Sequence, residues 1–105
     1  MRLGHYILNP DHTLSEVDLL TWGRWMEGAD RLLFMTGNKD LFVSTVFMGL
    51  DHRFVGKGPP LLFETMVFRN HDGDECERYS SYDDAEIGHK AMCRKVFRKV
   101  GAKHG

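Results

Sequence analysis

The sequence predicts an α+β fold, a small antiparallel sheet of about four strands with two helices packed on one face. Three observations carry this reading. Apolar, β-branched and aromatic residues flank the turn Gly37-Asn38-Lys39-Asp40, which is a hairpin signal. A third run of the same kind, Leu61 to Phe68, follows Pro59-Pro60. Two further stretches instead repeat their apolar residues at three- and four-residue steps, the period of a helix.

The first element is His5-Tyr6-Ile7-Leu8, short and extended, closed by the turn formers Asn9-Pro10-Asp11-His12. A helix is expected over 16–29. Ser15 or Asp18 can cap it by accepting an orphan backbone N–H, and Leu20, Trp22, Trp25 and Met26 recur along it. Leu32–Met35 and Leu41–Met48 form the hairpin. The segment Leu50–Pro60 is a loop, because Gly56, Gly58 and Pro59-Pro60 resist regular structure. After the strand 61–68 comes a polar turn, Asn70 to Glu75, and a short returning strand around Glu77-Arg78-Tyr79. The last helix starts at Ser81, which with Asp84 has the spacing of a capping box. Asp83, Asp84 and Glu86 suit the positive end of its dipole, and Lys90, Arg94, Lys95, Arg98 and Lys99 follow toward the negative end. Ala85, Gly88, Met92, Val96 and Val100 line one face.

With 105 residues the chain fits one domain, and 42% hydrophobic with 28% charged residues is an ordinary globular balance. The formal net charge of −1 gives no overall pull toward phosphate, so nucleic acid is not the expected partner. The basic side of the last helix reads first as a solvated face and second as a phosphate contact. The two cysteines, Cys76 and Cys93, have no metal or redox spacing and read as reduced thiols. Met1 to Tyr6 lacks the apolar core of a signal peptide, and no run approaches the ~20 apolar residues of a membrane span. The expected location is cytoplasmic, with no membrane association.

Recurring site signatures are missing. No phosphate loop, dinucleotide fingerprint or nucleophile elbow occurs. The six histidines lack paired ligand spacing, so neither a metal nor a cofactor is expected. His71-Asp72-Gly73-Asp74-Glu75 lacks the alternating ligands of a calcium loop and reads as a solvated turn. No catalytic residue is assigned.

The candidates for contact with a ligand or partner are Asp51, His52, Arg53, Lys57, Glu64, Arg78 and Tyr79. Glu64 interrupts an apolar run in which strand alternation puts Leu62, Glu64, Met66 and Phe68 on one face and Leu61, Phe63, Thr65 and Val67 on the other. Both faces are largely apolar, so the carboxylate needs a partner. That partner is either the next strand, where Arg78 is the natural counter-ion, or a bound molecule. Asp51-His52-Arg53 opens the Gly/Pro loop, a place from which side chains can reach a ligand. His89, beside the core-facing Gly88, reads as a boundary histidine with a satisfied hydrogen bond. Trp22 and Trp25 stand three apart on the first helix, so that one can be core and the other an exposed interface anchor.

Several separated stretches taken together resemble a widespread family of small, uncharacterised phage and prophage proteins. They are Ser44-Thr45-Val46-Phe47-Met48-Gly49-Leu50-Asp51-His52, Pro59-Pro60-Leu61-Leu62-Phe63-Glu64-Thr65-Met66-Val67-Phe68, and Arg78-Tyr79-Ser80 followed by Ala85 and Gly88-His89. The similarity extends to His5–Leu8 and Asp18–Trp22. It implies a phage setting and a host-cell cytoplasm, and it carries no catalytic residues across.

Four functional readings stay open at this level, the last of them a nucleic-acid binder resting on the basic side of the final helix alone. The first is a non-enzymatic accessory protein that binds and inhibits a host protein, for instance one of its defences. The second is a sponge for a small anionic nucleotide, with Arg53, Lys57, Arg78 and Tyr79 gathered at a homo-oligomer interface. The third is a small enzyme using Glu64, His52 or His89.

Overall fold

In the computed structural model, residues 4–53 and 56–101 are described, the side chains of 99–101 excepted. The chain forms an α+β fold with two antiparallel sheets. Strands β1 (Tyr6–Leu8) and β2 (Leu14–Glu16) make a small hairpin. Helix α1 (Leu19–Gly28) follows. Strands β3 (Leu32–Gly37), β4 (Leu41–Phe47), β5 (Phe63–Arg69) and β6 (Asp72–Tyr79) then form a four-stranded meander in sequence order, closed by helix α2 (Tyr82–Gly101).

The N-terminal region departs from expectation. The helix does not begin at 16, because Leu14-Ser15-Glu16 pairs with Tyr6–Leu8 as β2. Asn9 stabilises the hairpin turn, its Nδ2 donating to Ser15 Oγ at 2.9 Å and to Thr13 Oγ1 at 3.1 Å. Ser15 is thereby engaged, and Asp18 caps α1 by accepting from Thr21 N at 2.8 Å. That bond, made to the ionised carboxylate, holds the Asp18 carboxyl below its ordinary range.

The second departure is the β5–β6 turn. Only Asn70 and His71 form it, both with positive φ, 51° and 72°. This left-handed pair gives a two-residue hairpin whose twist matches its strands, and asparagine tolerates that conformation well. Strand β6 therefore begins at Asp72 rather than near Glu77, and the acidic residues expected in a turn lie along an edge strand. Charges there discourage pairing with another chain. The opposite edge, β3, carries a register shift between Leu32 and Phe34.

Alternation along β4 and β5 sends Val43, Thr45 and Phe47, with Phe63, Thr65 and Val67, to an inner face that α2 covers. Val43 and Val67 meet Met92 and Val96, while Phe47, Leu62 and Phe63 meet Ala85. Leu62 corrects the expected alternation. It precedes β5, hydrogen-bonds through its backbone to Met48 and Tyr79, and is buried with the inner cluster rather than beside Glu64. The cluster of Phe47, Leu62, Phe63 and Ala85 is capped by Tyr6, Leu8, Leu14 and Trp25, which brings the hairpin and α1 against that end of the core. Ser81 caps α2 as expected, its Oγ accepting from Asp84 N at 3.1 Å. Val100 and Lys99, assigned to the two faces of this helix, lie outside the described side chains.

Two close contacts fix where the helices lie. Gly88 is packed on the Tyr79 ring so tightly that a Cβ would collide with it. Gly49, at φ +78°, leaves room for the Trp22 indole and Met26, and its carbonyl accepts from Trp22 Nε1 at 3.1 Å.

His89 is no boundary residue. It is 5% exposed, with Nδ1 2.8 Å from Thr45 Oγ1 and Nε2 2.9 Å from Thr36 Oγ1. Thr45 Oγ1 in turn lies 2.6 Å from Thr65 Oγ1. Burial holds the imidazole below its ordinary pKa, which favours the neutral ring.

Two outcomes are expected. Stability attributable to His89 is complete above the unfolded-state value of about 6.5 and is lost as pH falls below it, because the unfolded chain then binds the extra proton. Urea unfolding from pH 7.5 to 5 shows this slope in the wild type and a shallower one in His89→Gln. Gly88→Ala forces Tyr79 and α2 apart and costs about 1–3 kcal/mol by the same measurement.

Candidate functional site

The sequence-derived residues lie near the β5 entry and the end of β6, and the sheet divides them between its two sides. Asp51, His52 and Arg53 secure the loop. Asp51 Oδ1 accepts from Arg53 N at 2.8 Å and from Leu61 N at 2.9 Å. Arg53 Nε donates to Pro59 O at 2.8 Å, and its guanidinium lies against Gly58. His52 is bound through Nδ1 to Leu50 O at 2.8 Å, and its backbone N–H donates to Leu61 O. These bonds close the loop on its own backbone. Lys57 is exposed on it.

Glu64 and Arg78 face each other across β5 and β6, on the side away from α2. Arg78 Nε donates to Glu64 Oε2 at 3.1 Å, and the Cys76 thiol donates to the same oxygen at 3.3 Å. The carboxylate side chain is 18% exposed and the arginine 40%. The adjacent strand thus supplies the counter-ion that the apolar surroundings of Glu64 require. Burial, then the hydrogen bond to Glu64, pushes the Cys76 thiol up, so it stays protonated. Both cysteines are free, Cys76 exposed and Cys93 half-buried.

Tyr79 points the other way. It opposes Phe63 on the inner side and packs under Gly88. Burial, reinforced by the charge of Glu77, raises its hydroxyl pKa. Glu77, Tyr79, Gly88, Ala91, Met92 and Lys95 line a shallow groove of about 250 Å³ there. Lys95 bridges it through an ion pair with Glu75. Arg78 and Tyr79 are therefore neighbours in sequence on opposite faces. Together with Arg53 and Lys57 on the loop, they do not form one anion-binding cradle. Among the described residues no group of three or more His, Cys, Asp or Glu is placed to hold a metal ion.

A different surface emerges on α1. No residue of this helix is fully buried. Trp22 and Trp25 both turn inward, Trp22 to the Gly49 carbonyl and Trp25 edge-on to Phe47 with ring centroids 5.5 Å apart. The expected exposed tryptophan is instead a leucine pair, Leu19 and Leu20, 63% and 65% exposed. They line a groove of about 450 Å³ with Trp22, Gly23, Arg24 and Glu27. The sequence held a signal for it, since Leu19-Leu20 continues the apolar pattern beyond the arc that one helix face can bury.

Comparison with known proteins finds no matching family model, no similar curated protein and no similar solved structure. Among the described residues, no helix is long and apolar enough to cross a membrane.

If Asp51 is a loop fastener, Asp51→Ala strands two backbone donors and costs about 1–2 kcal/mol. Glu64→Gln keeps its neighbours and stays within about 1 kcal/mol of wild type, because Arg78 is open enough to water to be solvated once the charge is removed. Paired urea titrations of the two variants decide the order.

Proposed function

We propose that this chain is a non-enzymatic binding protein whose target is another protein, engaged through the leucine groove of α1. The observation that carries this reading is the adjacent pair Leu19 and Leu20, each more than half exposed on a helix otherwise anchored by two tryptophans. Single exposed leucines are common, but two side by side over a groove with a Trp22 wall form an apolar centre. Arg24 and Glu27 supply a rim of mixed charge. An apolar centre inside a polar rim is the anatomy of a protein contact, and it suits a partner offering apolar side chains flanked by both charge signs.

The resemblance to phage and prophage proteins extends the reading: the target is a host protein in the host cytoplasm, a defence component being the natural choice, and binding inhibits it. The anionic-ligand reading has less support, since Arg53 and Arg78 are spoken for by Pro59 and Glu64 and Tyr79 faces α2. The enzyme reading meets a similar difficulty, because Glu64 is paired on the outer face while His52 is bound into the loop.

Tagged wild-type protein is expected to retain one host protein stoichiometrically from lysate. Leu20→Lys, exposed and harmless to the fold, weakens that retention by roughly tenfold or more, as loss of an interface anchor does. Equal retention by wild type and variant would refute the assignment of the groove.

A further inference from the structure

Gly23 stands in the interior of α1, where glycine is the least favourable residue short of proline. Its backbone loses more freedom on folding than any other, so alanine at such a position makes a helix more stable. Two other glycines of this chain have a reason in the fold. A Cβ at Gly88 would meet the Tyr79 ring, and one at Gly49 the Trp22 indole. Gly23 has no such neighbour. It is not left-handed, and beyond its chain neighbours and the helix backbone a Cβ there would meet no atom within 4 Å. The space that this Cβ would enter belongs to the groove, which Gly23 lines together with Leu19, Leu20, Trp22, Arg24 and Glu27.

We propose that Gly23 is the crossing point for a helix of an unlike protein, one side chain of which fills the gap that a Cβ would close. The proposal rests on the groove reading above and adds the mode of contact. Leu19, Gly23 and Glu27 follow one another at four-residue steps, and so do Leu20 and Arg24. Such rows are the ridges of a helix surface, and the absent side chain at 23 interrupts one of them between its leucine and its glutamate. A ridge of a second helix can lie in that break, closer to the α1 backbone than two unbroken ridges allow.

Charge describes the partner further. Arg24 and Glu27 are both exposed, and among the described residues neither enters an ion pair. The complementary helix places apolar residues against Leu19, Leu20 and Trp22, with an acidic residue opposite Arg24 and a basic one opposite Glu27.

The same charges argue against a second copy. A two-fold interface sets each surface against itself. With α1 and its copy running parallel across Gly23, Glu27 would face Glu27 and Arg24 would face Arg24. With the two running antiparallel, position 27 would face position 19, and the glutamate would be pressed on a leucine without a counter-ion. An unlike helix avoids both mismatches.

The test compares full-length wild type with Gly23→Ala, Gly23→Leu and Leu20→Lys. Gly23→Ala is expected to raise the melting temperature by about 3–6 °C, and Gly23→Leu to remain above wild type. Affinity for the host protein retained from lysate, identified by mass spectrometry and then purified, moves the other way. It falls roughly tenfold in Gly23→Ala and further in Gly23→Leu. A purely structural glycine would move stability and binding together. A lower melting temperature for Gly23→Ala therefore overturns the proposal, since the glycine would then serve the fold. Binding that is lost in Leu20→Lys but unchanged in both Gly23 variants overturns the crossing helix and leaves the groove reading standing. Binding unchanged in Leu20→Lys, or no retained protein at all, overturns both. Self-association that Gly23→Leu abolishes would give the gap to a second copy and also overturns it. Benzoylphenylalanine at Thr21, exposed beside the groove, is expected to crosslink to a helix of the retained protein. A crosslink to a strand or loop overturns the helical assignment.

Discussion

The position of α2 depends on burying His89 without leaving a polar group unpaired. Its ring lies between helix and sheet, and each nitrogen meets a threonine hydroxyl, Thr36 on β3 and Thr45 on β4. Thr65 on β5 completes the chain through Thr45. A stranded donor or acceptor in such a place costs about 1–3 kcal/mol, so a helix shifted by one turn would lose more than the hydrogen bonds themselves. The network thus ties three strands and the helix into one register. Val43, Val67, Met92 and Val96 on one side of it, and Phe47, Phe63 and Ala85 on the other, supply most of the favourable burial.

From that arrangement the rest follows in order. With α2 lying across the inner face, Tyr79 must fit beneath it, and only a residue without Cβ tolerates the contact at position 88. Tyr79 turned inward forces Arg78 outward, where it meets Glu64. The pair expected to form part of a site therefore stabilises the sheet, and the loop residues Asp51 and Arg53 fasten the crossing from β4 to β5. Among the described residues, the large apolar side chains left exposed include the leucine pair of α1 and, on β3, Leu32 and Met35.

Local patterns made much of the fold legible. The hairpin around Gly37–Asp40, the strand after Pro59-Pro60, and the capped helix from Ser81 all rest on short-range chemistry that a single segment carries. The Glu64–Arg78 pairing was also legible, because a carboxylate in an apolar strand must find a counter-ion and the next strand offered one. The strand β2 was not. Leu14-Ser15-Glu16 is too short to show a period, and it becomes a strand only because Tyr6–Leu8 is there to pair with it. The extent of β6 was hidden for a related reason. Its acidic residues resemble a loop until the left-handed pair Asn70-His71 commits them to an edge strand.

The sequence by itself determined the class of fold, the ends of the long helix, its Ser81 cap and the surplus of apolar residues on both sides of the central strands. Those are properties of neighbours along the chain. The tertiary structure decided which apolar residues stay uncovered, because burial depends on what arrives from elsewhere. Both tryptophans of α1 found partners, while Leu19 and Leu20 stay more than half exposed. It also decided that His89 is a core residue and that Arg78 and Tyr79 part to opposite faces. A titratable side chain acquires its role from the groups packed around it, and those come from β3, β4, β5 and α2, up to 53 positions away in the chain.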